Sequence, residues 1–179
     1  DYLPYSTNEV SPYLTLISSM FLHGGWMHLI GNMVFLWIFG NNIEDILGHG
    51  RFVVFYILCG VLAALAQMIS EPGSEIPMVG ASGAVSGVMG AYIVLFPRAR
   101  ILTLIFLGFF ITTMRISAGW FLGIWFAMQS VNALGSVGGT GGVAFWAHVG
   151  GFIAGIVLLF LLKPKGQRLL NPRRKGPWG

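Results

Sequence analysis

Charged residues are scarce in this sequence. Asp, Glu, Lys and Arg together make up 9% of the 179 residues, whereas soluble domains contain roughly a quarter. Hydrophobic residues make up 55%, and the mean hydropathy is +0.77. So little charge excludes the ordinary soluble classes, and we predict a polytopic membrane protein that lies in a lipid bilayer.

Cysteine is nearly absent as well, since Cys59 is the only one. A single cysteine excludes a disulfide within the chain and a metal site built from several thiolates. The first residues also lack the basic and short apolar segments of a signal peptide, and the chain begins at Asp1 rather than at methionine. We therefore expect no signal peptide and a fragment of a longer chain.

The basic residues predict membrane topology rather than a nucleic-acid partner. The net charge is +4, but the basic residues lie in short clusters between apolar runs, and six of the ten lie from Lys163 onwards. Loops with Arg51, or with Arg98, Arg100 and Arg115, alternate with loops that contain no basic residue. The positive-inside rule places the basic loops in the cytoplasm. We predict a membrane domain over residues 1–163 and a basic cytoplasmic tail over residues 164–179.

Five apolar segments predict an all-α bundle of transmembrane helices. About 20 residues at roughly 1.5 Å each are needed for roughly 30 Å of hydrocarbon. A further apolar run, residues 101–111, is too short to cross, and a crossing there would place Arg98 and Arg115 on opposite sides. We expect that run to be re-entrant or interfacial, and residues 1–25 to be an interfacial loop. The predicted spans are residues 26–46, 52–69, 82–96, 117–131 and 146–162.

Four polar side chains share one predicted depth. In this topology Ser82, His148, His28 and Asn32 all lie at the outer ends of their helices. Polar groups in a span are costly unless they have partners, so each is a candidate site residue. The helix from residue 82 measures only roughly 22 Å, which places Ser82 below the outer surface, where a loop is tolerated beside a water-filled cavity. Such a cavity would supply water for hydrolysis.

The types of these residues suit nucleophilic catalysis. A serine hydroxyl needs an adjacent base, and histidine suits neutral pH. We predict Ser82 as nucleophile and His148 as base, and Ser82, in the first helical turn, also has a free backbone N–H for an oxyanion. His28 and Asn32, four residues apart, share a helix face. They either donate to the same oxyanion hole or form a polar contact between helices.

Close packing of small residues is the alternative explanation for the motif around Ser82. Glycines at four-residue spacing let membrane helices approach closely. The two interpretations are compatible, because such an approach would bring Ser82 and His148 together. Ser86, one turn deeper, is predicted to bond the carbonyl four residues earlier. The predicted packing glycines are Gly83, Gly87 and Gly90 on one helix and Gly151 and Gly155 on the other.

A metal site and a catalytic triad are both disfavoured. His23, His28 and His148 are conceivable ligands, but the sequence contains no His-Glu-x-x-His motif and no acidic residue in the spans at that depth. Glu44 and Asp45 lie roughly 20 Å lower than His28, too far to orient His148. We predict no metal and a Ser–His dyad rather than a triad.

The sequence contains three motifs that belong together: His23-Gly-Gly-Trp-Met-His28-Leu-Ile-Gly-Asn32, Gly80-Ala-Ser-Gly83 and Ala147-His-Val-Gly-Gly151. Together they resemble the signature of the rhomboid intramembrane serine proteases, and the resemblance covers nearly all of residues 11–162. It implies a Ser82–His148 dyad without a cofactor, and an oxyanion hole made by His28, Asn32 and the Ser82 N–H. It also implies transmembrane protein substrates that are cleaved near the outer face.

The sequence departs from the family pattern at three points. The family core has six spans, so the missing one is expected before Asp1. The Trp-Arg motif of the first loop is absent around Leu14-Thr15. Some members place an aromatic residue four positions after the nucleophile to stack on the histidine, and Ser86 stands there in this chain.

Two other functions compete with proteolysis. A catalytically inactive rhomboid-like protein that binds transmembrane segments is disfavoured by the presence of both Ser82 and His148. A small-solute channel would need polar residues through the whole bilayer, whereas they lie mainly in its outer half. The alternation of charge suits a bacterial inner membrane, and the sequence makes no prediction of oligomeric state.

Overall fold

The fold is built mainly from helices. The structure, a computed structural model, describes residues 11–74, 77–108, 110–135, 143–167 and 169–170. In chain order the elements are α1 (Pro12–Ser18), a 3-10 turn (Ser19–Phe21), α2 (Trp26–Leu47), α3 (His49–Ser70), α4 (Ser82–Leu95), β1 (Arg100–Leu107), β2 (Phe110–Ser117), α5 (Ala118–Gly135) and α6 (Phe145–Leu162).

Each of the five predicted spans contains a helix, from α2 to α6. By length and composition alone, α3 and α6 are the two helices of the described chain that are long and apolar enough to cross a membrane. Helix α4 has 14 residues, so it is shorter and measures roughly 21 Å. The crossing of the membrane by all five helices stays a prediction.

The turn between α2 and α3 is tighter than predicted. The sequence predicts a polar turn over residues 48–51, but α3 already begins at His49. Gly48 alone separates the helices, with a φ of +79° that favours glycine. Its N–H donates to the Glu44 carbonyl oxygen at 2.7 Å, which satisfies one free acceptor at the end of α2.

The prediction of an all-α chain is wrong for the segment between α4 and α5. The run predicted to be re-entrant or interfacial forms an antiparallel hairpin of β1 and β2, paired from Arg100↔Ser117 to Leu107↔Phe110. Every second residue from Ile101 to Ile105 is β-branched, which favours a strand. Gly108, with a φ of +61°, begins the two-residue connection.

The hairpin leads directly into α5. Two backbone hydrogen bonds join the first residues of α5 to the segment after α4. The Ala118 N–H donates to the Ala99 carbonyl oxygen at 2.7 Å, and the Gly119 N–H donates to the Pro97 carbonyl oxygen at 2.9 Å. The first turn of α5 is therefore hydrogen-bonded to the segment that follows α4.

The segment before α2 is partly helical, so its prediction as a loop is wrong over α1 and the 3-10 turn that follows. The Ser19 carbonyl oxygen in that turn accepts from the Gly80 N–H at 2.9 Å. This bond ties the segment to the loop that precedes Ser82. The sequence also predicts a glycine-rich link over residues 135–142. Helix α5 includes Gly135, and residues 136–142 lie outside the described residues.

Helix α4 is the centre of the bundle. All of its residues except Ser82, Ile93 and Val94 are buried, and it packs against α2, α3, α5 and α6. Its side chains are small on the faces that meet α3 and α6 and large towards its C-terminal end, where Tyr92 contacts the Phe39 ring at a centroid distance of 4.9 Å.

Helices α4 and α6 meet backbone to backbone. A Cβ added at Gly151 would collide with the Gly83 carbonyl oxygen, and one at Gly155 would collide with that of Gly87. A Cβ at Gly90 would likewise meet the Phe152 carbonyl. Gly90, Gly151 and Gly155 thus lie where a larger residue would force α4 and α6 apart. A Cβ at Gly83 or Gly87 would first meet Ala63 or Cys59 of α3.

Candidate active site

Ser82 and His148 are in hydrogen-bond contact. The Ser82 Oγ lies 2.9 Å from the His148 Nε2. Ser82 is the first residue of α4, and His148 lies in the first turn of α6. Because the glycines of these helices let their backbones touch, the side chains at their N-terminal ends reach one another directly. The structure therefore brings together the two residues on which the sequence analysis depends.

The second ring nitrogen of His148 is also occupied. Its Nδ1 lies 2.8 Å from the Oε1 of Gln129 on α5. An amide oxygen can only accept, so this geometry requires the proton on Nδ1 and leaves a lone pair on Nε2. Nε2 is then the acceptor for the Ser82 hydroxyl. Of the two tautomers of a neutral histidine, this is the one that a general base for Ser82 needs.

Aromatic rings flank the His148 imidazole. The Trp125 ring lies at a centroid distance of 5.9 Å and is inclined by 40°. The Phe145 ring approaches edge-on at 6.4 Å. Trp125 and Gln129 are not among the residues predicted from the sequence, although their four-residue spacing places both on one face of a helix. That spacing is the feature of the sequence that could have identified these two residues.

His28 and Asn32 of α2 lie against the loop that leads to Ser82. A Cβ added at Gly80 would stand 2.7 Å from the His28 Nε2 and 3.6 Å from the Asn32 Nδ2. Gly80 also has a φ of +117°, so glycine is required there both for backbone conformation and for space. The four predicted site residues therefore border one region.

Both α2 side chains can present hydrogen-bond donors. The Gly24 N–H donates to the His28 Nδ1 at 3.4 Å, which leaves the proton of a neutral His28 on Nε2, the atom nearer Gly80. Asn32 is 6% exposed, and its Nδ2 has no hydrogen-bond partner among the described residues. A buried amide donor without a partner costs about 1–3 kcal/mol, so its presence calls for an explanation.

These side chains line one cavity of about 600 Å³. The volume falls within the range of about 300–1,000 Å³ that is usual for ligand-binding clefts. Most of the lining is apolar, with a smaller set of polar groups. The lining includes His28, Asn32, Gln67, Ser82, Trp125 and His148.

Gln67 of α3 supports the first turn of α6. Its Oε1 accepts from the Ala147 N–H at 3.1 Å, and its Nε2 donates to the Glu71 Oε2 at 2.9 Å. The first backbone N–H groups of a helix have no partner within the helix, so Gln67 satisfies one of them next to His148. The sequence analysis did not single out this residue.

The remaining candidate residues lie as follows. Ser86 donates its hydroxyl to the Ser82 carbonyl oxygen at 2.6 Å, which confirms the bond predicted for it. Glu44, in the last turn of α2, contacts His49, the first residue of α3. Within the described ranges, no three His, Cys, Asp or Glu side chains converge in a way that could hold a metal ion.

Comparisons with known proteins agree on one family. The family model described as "Rhomboid domain" matches residues 11–165. "Rhomboid protein 1, mitochondrial" of Saccharomyces cerevisiae is 29% identical over 183 residues, which cover 99% of this chain and 50% of the relative. "Rhomboid protease GluP" of Bacillus subtilis is 32% identical over 160 residues, which cover 87% of this chain and 28% of the relative.

A human relative extends the comparison. "Presenilin-associated rhomboid-like protein, mitochondrial" is 31% identical over 159 residues, which cover 85% of this chain and 39% of the relative. The chain thus spans half or less of the length of these three curated relatives.

Proposed function

This chain belongs to the rhomboid family, a family of integral membrane proteins, and from that premise we propose that it is an intramembrane serine endopeptidase. Its substrates are transmembrane segments of membrane proteins, cleaved near the outer face. The observation that carries the proposal is the 2.9 Å contact between the Ser82 Oγ and the His148 Nε2, two side chains that line a cavity of about 600 Å³.

The chemistry follows from the protonation of this contact. His148 Nε2 takes the Ser82 proton as Ser82 Oγ attacks the carbonyl carbon of the scissile bond. The tetrahedral intermediate collapses when the imidazolium returns that proton to the leaving amine, which leaves an acyl ester on Ser82. His148 then takes a proton from water, and the resulting hydroxide attacks the ester. The imidazolium returns its proton to the departing Ser82 Oγ, which releases the second product and restores the dyad.

The developing oxyanion needs donors that are in place before the reaction. We assign the His28 Nε2–H, the Asn32 Nδ2–H and the Ser82 backbone N–H to this role. The unpartnered Nδ2 of Asn32 supports it, because a donor held without a partner is free to bond an oxygen that becomes charged only in the transition state. One such donor contributes about 10²–10³ in rate in other acyl-transfer enzymes.

The proposed location is a bacterial inner membrane, crossed by α2 to α6 with the Ser82 end towards the outer face. The alternation of basic and uncharged loops supports this orientation. The named relatives come from a bacterium and from mitochondria, so the assignment to a bacterial membrane depends on the charge pattern. Substrate protein and lipid bilayer are the proposed partners.

Labelling with a fluorophosphonate probe tests the proposal. The full-length protein in detergent should become covalently labelled, and Ser82→Ala should remove the label. Ser86→Ala is the matched control, since Ser86 lies one turn along the same helix and should keep the label. Equal labelling of Ser82→Ala and wild type would contradict the proposal. Unlabelled wild type that still binds a transmembrane segment would instead indicate a catalytically inactive member of the family.

A further inference from the structure

Helix α5 supplies two side chains to His148, four residues apart on one face. Trp125 lies beside the imidazole ring, and the Gln129 Oε1 lies 2.8 Å from its Nδ1. Neither has a role in the reaction steps above. Both His148 ring nitrogens are therefore engaged, one by a residue of α4 and the other by a residue of α5.

The position on α4 four residues after Ser82 carries no aromatic ring that could support His148. Ser86 stands there, and its hydroxyl is bonded to the Ser82 carbonyl oxygen at 2.6 Å. A serine bonded to its own helix backbone cannot hold an imidazole ring on another helix. Apart from the contact with Ser82, the His148 ring is thus left to be oriented by groups outside α4.

We propose that Gln129 is the positioning residue of the Ser82–His148 pair, with Trp125 as the ring support. Gln129 accepts the Nδ1–H of His148 and so keeps the proton off Nε2, the atom that must accept from Ser82. This inference rests on the proposed function. It assigns to an uncharged side chain of α5 the part that a carboxylate plays in Ser-His-Asp enzymes.

An uncharged acceptor has a different effect from a carboxylate. It selects the tautomer and the ring orientation, but it adds no full negative charge to stabilise the imidazolium that forms. Removal of a hydrogen-bond partner that orients a histidine typically costs about 10- to 100-fold. We expect a loss of that size in kcat with KM unchanged, because Gln129 acts on the base and not on substrate binding.

A pair of substitutions at one position separates positioning from packing. Gln129→Leu keeps approximate size and removes the acceptor, whereas Gln129→Glu keeps the length and an acceptor oxygen. With a reporter transmembrane substrate, Gln129→Leu should lose about 10- to 100-fold in kcat, and Gln129→Glu should stay within a few-fold of wild type. Met128→Leu, an exposed neighbour on α5, is the matched control and should be unchanged.

Imidazole ¹⁵N shifts give a second readout that packing alone would not move. Wild type should show His148 protonated on Nδ1, and Gln129→Leu should lose that preference. Equal kcat losses in Gln129→Leu and Gln129→Glu, or an unchanged tautomer in Gln129→Leu, would overturn the inference. If wild type labels on Ser82 and Gln129→Leu labels at the same rate, only this inference fails. If wild type does not label on Ser82, the proposed function fails.

Discussion

Helix α6 meets two neighbours in different ways. Against α4 the contact is made by backbone, through glycines whose replacement would produce collisions with carbonyl oxygens. Against α5 the contact is made by large rings, with Phe126 and Phe152 at a centroid distance of 4.5 Å. The first contact sets how close Ser82 and His148 can be, and the second sets how the His148 ring is turned. Substitutions in the α4 contact should therefore change the distance between Ser82 and His148, whereas substitutions in the α5 contact should change the orientation of the His148 ring.

Removing the base should have the largest effect. His148→Ala leaves Ser82 without a proton acceptor, and we expect cleavage of a reporter transmembrane substrate to fall by about 10⁴-fold or more. Turnover in detergent, with equal protein amounts checked by thermal unfolding, measures it. If the turnover of His148→Ala stayed within tenfold of wild type, His148 would not be the base. Neither helix contact would then act on catalysis through His148.

Widening the α4–α6 contact should come next. A Cβ at Gly155 collides with the Gly87 carbonyl oxygen, so Gly155→Ala should destabilise the fold by about 1–3 kcal/mol and reduce cleavage through separation of the dyad. Gly123→Ala on α5, where a Cβ meets nothing within 4 Å, is the matched control. Equal unfolding temperatures for the two variants would contradict the distinction between the two contacts.

Changing the ring beside His148 tests the α5 side of the comparison. Trp125→Leu removes the aromatic face, and an aromatic pair contributes about 0.5–1.5 kcal/mol, so turnover should fall about two- to tenfold. Trp125→Phe retains a ring and should lose less. The ratio of the two turnover numbers is the measurement, and a ratio of one would show that the aromatic character of residue 125 is irrelevant to His148.

The smallest effect is expected at Gln67, which supports α6 from α3. Gln67→Leu removes the acceptor of the Ala147 N–H, at a cost of about 1 kcal/mol in the free energy of unfolding. Denaturant titration should detect this, with turnover reduced only a few-fold. Ile69→Leu, at a nearby exposed position of α3, should leave both quantities unchanged. Loss of activity as large as that of His148→Ala would give Gln67 a role in the reaction itself.

The helices could be predicted because hydropathy and length reveal apolar segments, and the polar residues inside them mark candidates such as Ser82 and His148 directly. The hairpin does not follow from length and charge, which indicate only that the run from residue 101 is apolar and too short to cross; its alternation of β-branched residues is the pattern that favours a strand. Gln129 and Trp125 could not be predicted for another reason. Which face of α5 meets α6 depends on the rotation of the whole helix in the bundle.

The two hydrogen bonds from Ala118 and Gly119 to the segment after α4 make the start of α5 a pivot. Gln129 lies about three turns beyond it, roughly 16 Å along the axis. A swing of α5 by roughly 10° about that pivot moves Gln129 along an arc of roughly 3 Å, as long as its 2.8 Å bond to His148. The tilt of α5 and the position of the proton on the His148 ring are thereby linked.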